Sequence, residues 1–286
     1  MPWAKGRQPK TEGQRSGQSF RRKGPKMSEQ TFDEAHAEWL DGRMTFLTAE
    51  SGWLNILGRW WIGAGDWQIG SGADADIRLP VGPEVLGRLT LRADDTGAFV
   101  PEEGAEVALD RAAGQFSWRA GRFLLEIMAL GAFRGLRIRD TQSKAPAQLE
   151  RPRYYPLDPA LRVTAAWRAL PEPLDLTIDT IIGIPLTGRA THEARFTILG
   201  QEITLLATHG TAERPMFVFR DLTSRDETYE KMRFVFGEEV GAETLVIDFN
   251  RAVNPPCAFT AHAACPLPPR ENLLSLRIEA GERRLT

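Results

Sequence analysis

Short apolar runs separated by Gly, Pro, Asp and Asn dominate the chain after residue 50. This spacing is typical of β-strands joined by tight turns. In the first half, the pattern predicts strands at 53–62, 66–70, 76–79, 86–92, 97–100, 106–109, 115–118, 122–128 and 134–139. In the second half, it predicts strands at 161–168, 176–179, 189–196, 202–208, 215–219, 244–248 and 273–279. Residues 228–236 fit either a strand or a helical turn.

One segment, Ser28 to Leu47, has apolar residues at helical spacing and a capping residue, Ser28 or Thr31, at its start. The apolar positions are Phe32, Ala35, Trp39, Leu40 and Met44. A polar stretch without periodicity, Gln142 to Glu150, is the best linker. We therefore predict a mainly β protein with a helix and a β-sandwich in residues 27–141, a linker at 142–152, and a second β-subdomain at 153–286.

The charge is distributed unevenly along the 286 residues. Residues 1–26 carry eight Lys or Arg against Glu12 alone, while the whole chain has a net charge of −2. This segment has few apolar residues, so we expect a disordered basic leader. A nucleic-acid or membrane-surface arm and a transit peptide are alternatives, but Met27 is itself a credible start, so a mis-assigned upstream start is the favoured interpretation of residues 1–26.

The rest of the chain is acidic, which argues against nucleic acid as a partner. No apolar stretch approaches the roughly 20 residues that a membrane-spanning helix needs, so no membrane partner is expected. Two cysteines without an apolar signal peptide indicate the cytoplasm, where thiols stay reduced. The oligomeric state is left open.

Four tryptophans crowd into residues 53–67, and a Gly70-Ser71 turn follows them. This opening is similar to forkhead-associated domains, β-sandwiches that bind phosphothreonine. Ser71 stands where those domains need an arginine, and Glu84 in the next loop would repel phosphate. We therefore expect a sandwich without phosphothreonine recognition, whose tryptophans fill the core. An aromatic cleft for a flat ligand or a sugar is the alternative.

The second half carries a dense set of motifs rich in Pro, Asn and Cys. They are Tyr155-Pro156-Leu157-Asp158-Pro159, Phe219-Arg220-Asp221-Leu222-Thr223-Ser224, Thr228-Tyr229, Arg233-Phe234, Asp248-Phe249-Asn250-Arg251-Ala252, Asn254-Pro255-Pro256-Cys257, Cys265-Pro266-Leu267-Pro268-Pro269, Asn272 and Ala280-Gly281-Glu282. Together they resemble DUF1684, a bacterial family named only as a domain of unknown function. The resemblance implies a fold and no activity.

The candidate site in this half consists of polar residues that follow predicted strands. Asp248 and Asn250, at i and i+2, project to the same face of a strand end. If the neighbouring segments meet them, guanidinium, hydroxyl and carboxylate groups share one pocket, and arginine suits carboxylate or phosphate recognition. The predicted ligand-binding residues are Arg220, Asp221, Thr228, Tyr229, Arg233, Asp248 and Asn250. The alternative is that these side chains satisfy loop backbone groups.

A second set, Asn254, Cys257, Cys265, Asn272 and Glu282, is assigned a structural or supporting role. Three interpretations of the cysteines stay open: metal ligands with His262, a nucleophile with His262 or His209 as base, or thiols that staple the Pro-rich loop. The metal pattern is not a standard zinc spacing, so no metal and no cofactor are predicted.

Signatures of nucleotide-binding loops, zinc proteases and serine hydrolases are missing from the sequence. Our hypothesis is therefore the binding of a small polar or anionic molecule in the C-terminal half. The alternatives are a hydrolase that uses Asp248 or a cysteine, and a protein-interaction module in the Trp-rich half. Whether the protein is an enzyme is left open.

Overall fold

The structure, a computed structural model, describes residues 31–285. The expectations for residues 1–26, for Met27 and for Ser28 as a cap lie outside this range. The predicted fold class is confirmed: the described chain is mainly β, with one long helix near its N-terminal end.

Helix α1 spans Phe32–Thr48. The Thr31 hydroxyl accepts a hydrogen bond from the Glu34 backbone N–H, and the Glu34 carboxylate accepts one from the Thr31 backbone N–H, which forms a capping box. Only His36 and Leu47 of this helix are buried. The helix is therefore held by a few specific contacts and not by a broad apolar face.

The first half contains nine strands, close to the predicted ones. They are β1 Ile56–Ile62, β2 Gly65–Gly70, β3 Ile77–Arg78, β4 Gly87–Leu91, β5 Thr96–Pro101, β6 Val107–Asp110, β7 Ser117–Ala120, β8 Phe123–Leu130 and β9 Phe133–Asp140. Four of them form one sheet in the order β1-β9-β8-β7, and five form another in the order β3-β2-β4-β5-β6.

The two sheets share one apolar core. Leu89 and Phe99 come from the five-stranded sheet, and Leu125 and Leu136 come from the four-stranded sheet. Alternate residues of each strand point inward, as expected for two sheets that cover each other. The likeness to forkhead-associated domains stays a prediction.

The second half is one seven-stranded sheet in the order β12-β11-β10-β16-β15-β14-β13. Its strands are β10 Arg162–Ile178, β11 Leu186–Ile198, β12 Gln201–Leu206, β13 His209–Thr211, β14 Arg214–Phe219, β15 Arg233–Glu238 and β16 Thr244–Asp248. A short helix α2, Ala145–Gln148, lies in the segment predicted as a linker.

Two strand predictions in this half were wrong. The predicted strands 161–168 and 176–179 are one strand, β10, because an irregularity between Ala169 and Leu174 absorbs Pro171 and Pro173, which cannot donate ladder hydrogen bonds. The segment 273–279 buries alternate side chains but forms no strand; its Ile278 N–H donates to the carboxylate of Asp221. The alternation of buried and exposed side chains does not reveal that the backbone of this segment binds the Asp221 carboxylate and not a neighbouring strand.

The large sheet curls so that its first strand approaches its sixth. The Asn272 side chain accepts a hydrogen bond from the Leu206 N–H of β12 (2.8 Å) and donates to the Leu206 carbonyl (3.0 Å) and to the Val218 carbonyl of β14 (2.9 Å). Phe217, Phe219 and other inward side chains fill the space inside the curl. One buried amide therefore closes the sheet on itself.

Candidate functional site

Three of the predicted ligand-binding residues, Asp221, Thr228 and Arg233, form one buried cluster. Asp221 and Arg233 make an ion pair of 3.1 Å whose two side chains are each 1% exposed. The same Asp221 oxygen accepts the Thr223 hydroxyl at 2.7 Å, and Thr223 is hydrogen-bonded to Thr228 at 2.9 Å. The other Asp221 oxygen accepts the Ile278 N–H at 2.7 Å.

The guanidinium of Arg233 also donates hydrogen bonds to backbone carbonyls of the C-terminal segment. Its guanidinium donates to the carbonyls of Ile278 (3.1 Å) and Ala280 and lies 5.0 Å from the Phe219 ring centroid. Burial lowers the pKa of Arg233, and the nearby Asp221 carboxylate opposes that shift. The cluster thus fixes residues 278–280 against strands β14 and β15.

Asp248 and Asn250 meet at the end of β16, as the sequence predicted, and they bind the backbone. One Asp248 oxygen accepts the Asn250 N–H at 3.0 Å and its side-chain amide at 2.8 Å. Asn250 in turn exchanges two hydrogen bonds with the backbone of Asp158, at 3.0 and 2.9 Å. The pair pins the start of the second half to the end of β16.

A cluster of orphaned polar atoms lies beneath α1. Asp248 Oδ2, Arg251 Nε and His36 Nδ1 are buried without a hydrogen-bond partner among the described residues. The Asp248 and Arg251 atoms are 3.6 Å apart. Burial lowers the pKa of His36, the Asp248 charge raises it, and the Arg251 charge lowers it. The charges of Asp248 and Arg251 thus act on His36 of α1 in opposite directions.

The two remaining predicted residues lie elsewhere. Arg220 is exposed at the rim of a hollow of about 430 Å³ that Asp221, Arg225 and Ser275 also line. Tyr229 is half-buried and packs near Cys257. The seven residues therefore do not share one pocket, and Arg220 is the only one of them at the surface.

Glu282 is at the centre of another buried network. Its carboxylate, 0% exposed, accepts the Arg43 guanidinium (2.7 and 3.1 Å), the Tyr154 hydroxyl (2.9 Å) and the Asn254 N–H (2.6 Å). Burial and the Glu282 charge raise the pKa of Tyr154, so its hydroxyl stays a donor. Helix α1 is attached to the C-terminal segment through this network.

Gly281 is required for this position of Glu282. Its φ of +77° is a left-handed conformation, and a Cβ built there would lie 2.4 Å from the Ala252 carbonyl oxygen. The Ala-Gly-Glu motif thus places a carboxylate under α1.

An aromatic cleft of about 520 Å³ lies between α1 and the second half. Its walls are Trp39, Gly42, Arg43, Phe46, Leu47, Trp53, Phe234, Phe236, Val253, Asn254, Pro256 and Phe259. Phe46 and Phe236 are 56% and 47% exposed, so apolar surface faces solvent at the cleft. In contrast to the polar clusters, this hollow has open aromatic faces.

Two polar side chains line the cleft. The Arg43 guanidinium is neutralised by Glu282 and lies 5.8 and 5.7 Å from the ring centroids of Phe46 and Phe259. Asn254 is 2% exposed; its amide nitrogen donates to the Arg283 carbonyl at 2.8 Å, while its Oδ1 has no partner within residues 31–285. The wall of the cleft thus contains a neutralised cation and a residue whose buried Oδ1 has no partner among the described residues.

Sequence reasoning predicted an aromatic cleft only as an alternative, at the tryptophans of residues 53–67, of which Trp53 lines this cleft. It missed the α1 face, although one signal was present. Trp39, Gly42, Arg43 and Phe46 fall at i, i+3, i+4 and i+7, so they share one face of α1. On that face, two large aromatic side chains flank a glycine that has no neighbouring atom within 4 Å of a built Cβ. An aromatic face with a gap in its middle indicates a cavity.

The tryptophans of the first half have several roles. Trp118 packs on Phe99 in the sandwich core, and Trp60 and Trp67 pack against that core from its edge. Trp61 is 41% exposed beside Phe133. The hypothesis of an interaction module in this half stays a prediction.

The two cysteines are free thiols and lie close together. The Cys257 N–H donates to Cys265 Sγ at 3.3 Å. Among the described residues, no three His, Cys, Asp or Glu side chains converge as a metal site would require, so Cys257, Cys265 and His262 do not form such a group. The hydrolase hypothesis, with Asp248 or a cysteine, stays a prediction.

The described part of the chain contains no helix that is both long and apolar enough to span a membrane.

Comparison with known proteins gives a family match over part of the chain and a remote structural likeness. An uncharacterized protein of Haloarcula marismortui, solved by solution NMR, is similar at 23% identity over 49% of this chain and 80% of that one, with a TM-score of 0.40. No curated protein matches. Residues 147–283 match the family described as "Protein of unknown function (DUF1684)". The resemblance predicted from the motifs is thus confirmed for residues 147–283.

Proposed function

We propose that this protein binds a small molecule in the aromatic cleft between α1 and the C-terminal half. The ligand has a flat apolar body and one N–H or O–H donor. The observation that carries this proposal is an open, aromatic hollow with a single buried, unpartnered acceptor, Asn254 Oδ1, in a residue of its wall.

The size of the cleft supports a small ligand. Ligand pockets are commonly about 300–1,000 Å³ and are lined mainly by apolar and aromatic side chains with a few polar groups. The cleft, at about 520 Å³, falls within this range. Aromatic rings gain from stacking or edge contacts with a flat ligand in addition to apolar burial.

The charges in the cleft favour a neutral ligand. Arg43 is 10% exposed, and its charge is balanced by the fully buried Glu282. An anionic ligand would have to compete with Glu282 for the guanidinium, and a buried carboxylate without its partner is costly. Our hypothesis of a polar or anionic ligand is therefore narrowed to a neutral one whose polar group is a donor.

The buried Asn254 amide supports the donor preference. A carbonyl oxygen buried without a partner costs about 1–3 kcal/mol, which a ligand donor would recover on binding. A ligand that has only hydrogen-bond acceptors would leave the Asn254 oxygen without a partner, so it would not recover this free energy.

The test uses N-phenyl-1-naphthylamine, a neutral, flat probe with one N–H and a fluorescence that rises in apolar surroundings. The full-length protein is titrated with the probe beside two variants, Gly42→Phe and Gly42→Ala. Since Gly42 faces open space in the cleft wall, a phenyl ring there occupies the hollow without removing any contact.

We expect the wild-type protein and Gly42→Ala to bind the probe similarly, and Gly42→Phe to bind it about tenfold more weakly or worse, since its side chain occupies the site. Circular dichroism and thermal unfolding check that both variants fold. Equal binding by a folded Gly42→Phe would overturn the proposal.

A further inference from the structure

The two cysteines form a pair whose members differ in access to solvent. Cys257 lies in a short 3₁₀ turn, Pro256–Ala258, and is half-buried. Cys265 is 4% exposed, and its carbonyl accepts the Ile181 N–H at 3.0 Å, which holds it in place. With Cys265 Sγ 3.3 Å from the Cys257 nitrogen, the two side chains meet across the loop.

A small oxidant in solvent therefore reaches Cys257 first. A sulfenic acid formed at Cys257 would have the Cys265 thiol beside it. The hydrogen bond from the Ile181 N–H to the Cys265 carbonyl already holds that residue in position. Reactive cysteines are partly exposed and have thiolate character, whereas buried structural ones are inert.

The surroundings of Cys257 favour its thiolate. Hydrogen bonds from Cys265 and from the Tyr229 hydroxyl lower the pKa of Cys257, although burial opposes them. The hydrogen bond to Cys257 and burial raise the pKa of Cys265, so Cys257 is the more readily ionised of the two thiols. Burial and Cys257 raise the pKa of Tyr229, so the phenol remains a donor to the sulfur.

We propose that Cys257 and Cys265 are a peroxide-oxidised dithiol, in which Cys257 is the attacking sulfur and Cys265 the resolving one. In the first step, the Cys257 thiolate attacks one peroxide oxygen. An S–O bond forms, the O–O bond breaks, and the departing hydroxide takes a proton to give water.

In the second step, the Cys265 sulfur, which gives up its proton, attacks Cys257 Sγ. The S–S bond forms, the S–O bond breaks, and hydroxide leaves as a second water. The two thiols together lose two protons and two electrons, and hydrogen peroxide is reduced to two waters.

The disulfide would affect the aromatic cleft. Pro256, directly before Cys257, and Phe259, two residues after it, both line the cleft. Because Cys257 lies in the same 3₁₀ turn as Pro256, we expect a bond between the sulfurs to move that turn. The proposed oxidation does not depend on the proposed ligand. Only an effect of the disulfide on ligand binding rests on the proposed function.

The test treats the reduced full-length protein with hydrogen peroxide and follows its intact mass and free thiols. We expect the wild-type mass to fall by two hydrogens, with both thiols lost together and a Cys257–Cys265 disulfide in non-reducing peptide maps. Cys265→Ser should instead trap a sulfenic acid at Cys257 that dimedone labels. Cys257→Ser should oxidise about tenfold more slowly or worse, since only the buried thiol remains.

Tyr229→Phe removes only the hydroxyl that donates a hydrogen bond to the Cys257 sulfur. It keeps both thiols and should oxidise severalfold more slowly than the wild type, with a higher pKa of Cys257 by thiolate absorbance. Two results would overturn the proposal. One is equal oxidation rates for Cys257→Ser and the wild type. The other is a wild-type protein that gains oxygen at Cys257 without forming the disulfide.

Discussion

The buried Asp221–Arg233 cluster lies within the second half of the chain, whereas the aromatic cleft lies between that half and α1, and the two differ in which groups are left free to bind a ligand. Asp221 and Arg233 satisfy each other and the backbone of residues 278–280, away from solvent. The cleft exposes aromatic faces and includes one residue with an acceptor free. In this protein, charged and polar residues of the types usual in binding sites hold the chain together, whereas apolar residues line the open space.

The largest expected effect is on the polar side of this comparison. Asp221→Asn leaves the buried Arg233 charge unpaired, and breaking a buried ion pair costs about 3–5 kcal/mol of the free energy of unfolding. Urea denaturation measures this loss.

The matched control for that variant is Arg189→Ala. Its ion pair with Asp175 lies at the surface, where such pairs contribute about 1 kcal/mol or less. If Asp221→Asn were as stable as Arg189→Ala and lost probe binding, the cluster would be a binding site after all.

The next effect concerns the closure of the large sheet. Asn272→Ala leaves two backbone groups of Leu206 and one of Val218 without their side-chain partner. We expect a loss of about 3 kcal/mol, since each buried group without a partner costs about 1–3 kcal/mol. Gln201→Ala, an exposed change on the same strand β12, should stay within about 0.5 kcal/mol of the wild type. A similar result for both variants in denaturation would contradict the tie between β12 and β14.

On the cleft side, Gly42→Ala should stabilise the protein. An alanine inside a helix is more favourable than glycine by about 0.5–1 kcal/mol, and the added Cβ meets no atom. Gly281→Ala should do the opposite, because that residue needs a positive φ and its Cβ would clash with Ala252. Thermal unfolding of the two variants tests this opposition; a destabilised Gly42→Ala would mean that the helix face is not open.

The smallest expected effect is a dependence on pH. Burial lowers the pKa of His36 from its ordinary 6.5, so below pH 6.5 the unfolded chain takes up a proton that the folded chain resists. The stability contributed by neutral His36 is complete above that pH and is lost as pH falls through the lowered value. His36→Gln should therefore lose less stability than the wild type between pH 7.5 and 5 in urea denaturation. His209 and His262, whose pKa values are also lowered by burial, are present in both proteins. Parallel curves would contradict this assignment.

Much of the fold could be predicted from local patterns. Alternating residues located the nine strands of the first half, because each strand buries one face against the facing sheet. The same rule gave a false strand at 273–279, whose buried side chains alternate while its backbone binds Asp221. The short strand β13 carries no apolar pattern and was missed.

The site was harder to predict because its residues converge from distant segments. The sequence indicated that Arg233 and Asp248 matter, but it could not show that both are buried, since burial depends on the segments packed over them. The walls of the cleft come from α1, Trp53, β15 and the Pro-rich loop. No local spacing reveals that these four segments meet.

The most direct measurement is native mass spectrometry of the gently purified full-length protein and two variants, Gly42→Phe and Arg220→Ala. Arg220 is the exposed member of the predicted polar set and does not line the cleft, whereas Gly42 does. We predict a discrete added mass on the wild type and on Arg220→Ala that Gly42→Phe lacks. An added mass that Gly42→Phe keeps and Arg220→Ala loses would contradict the account and place the ligand at the polar surface instead.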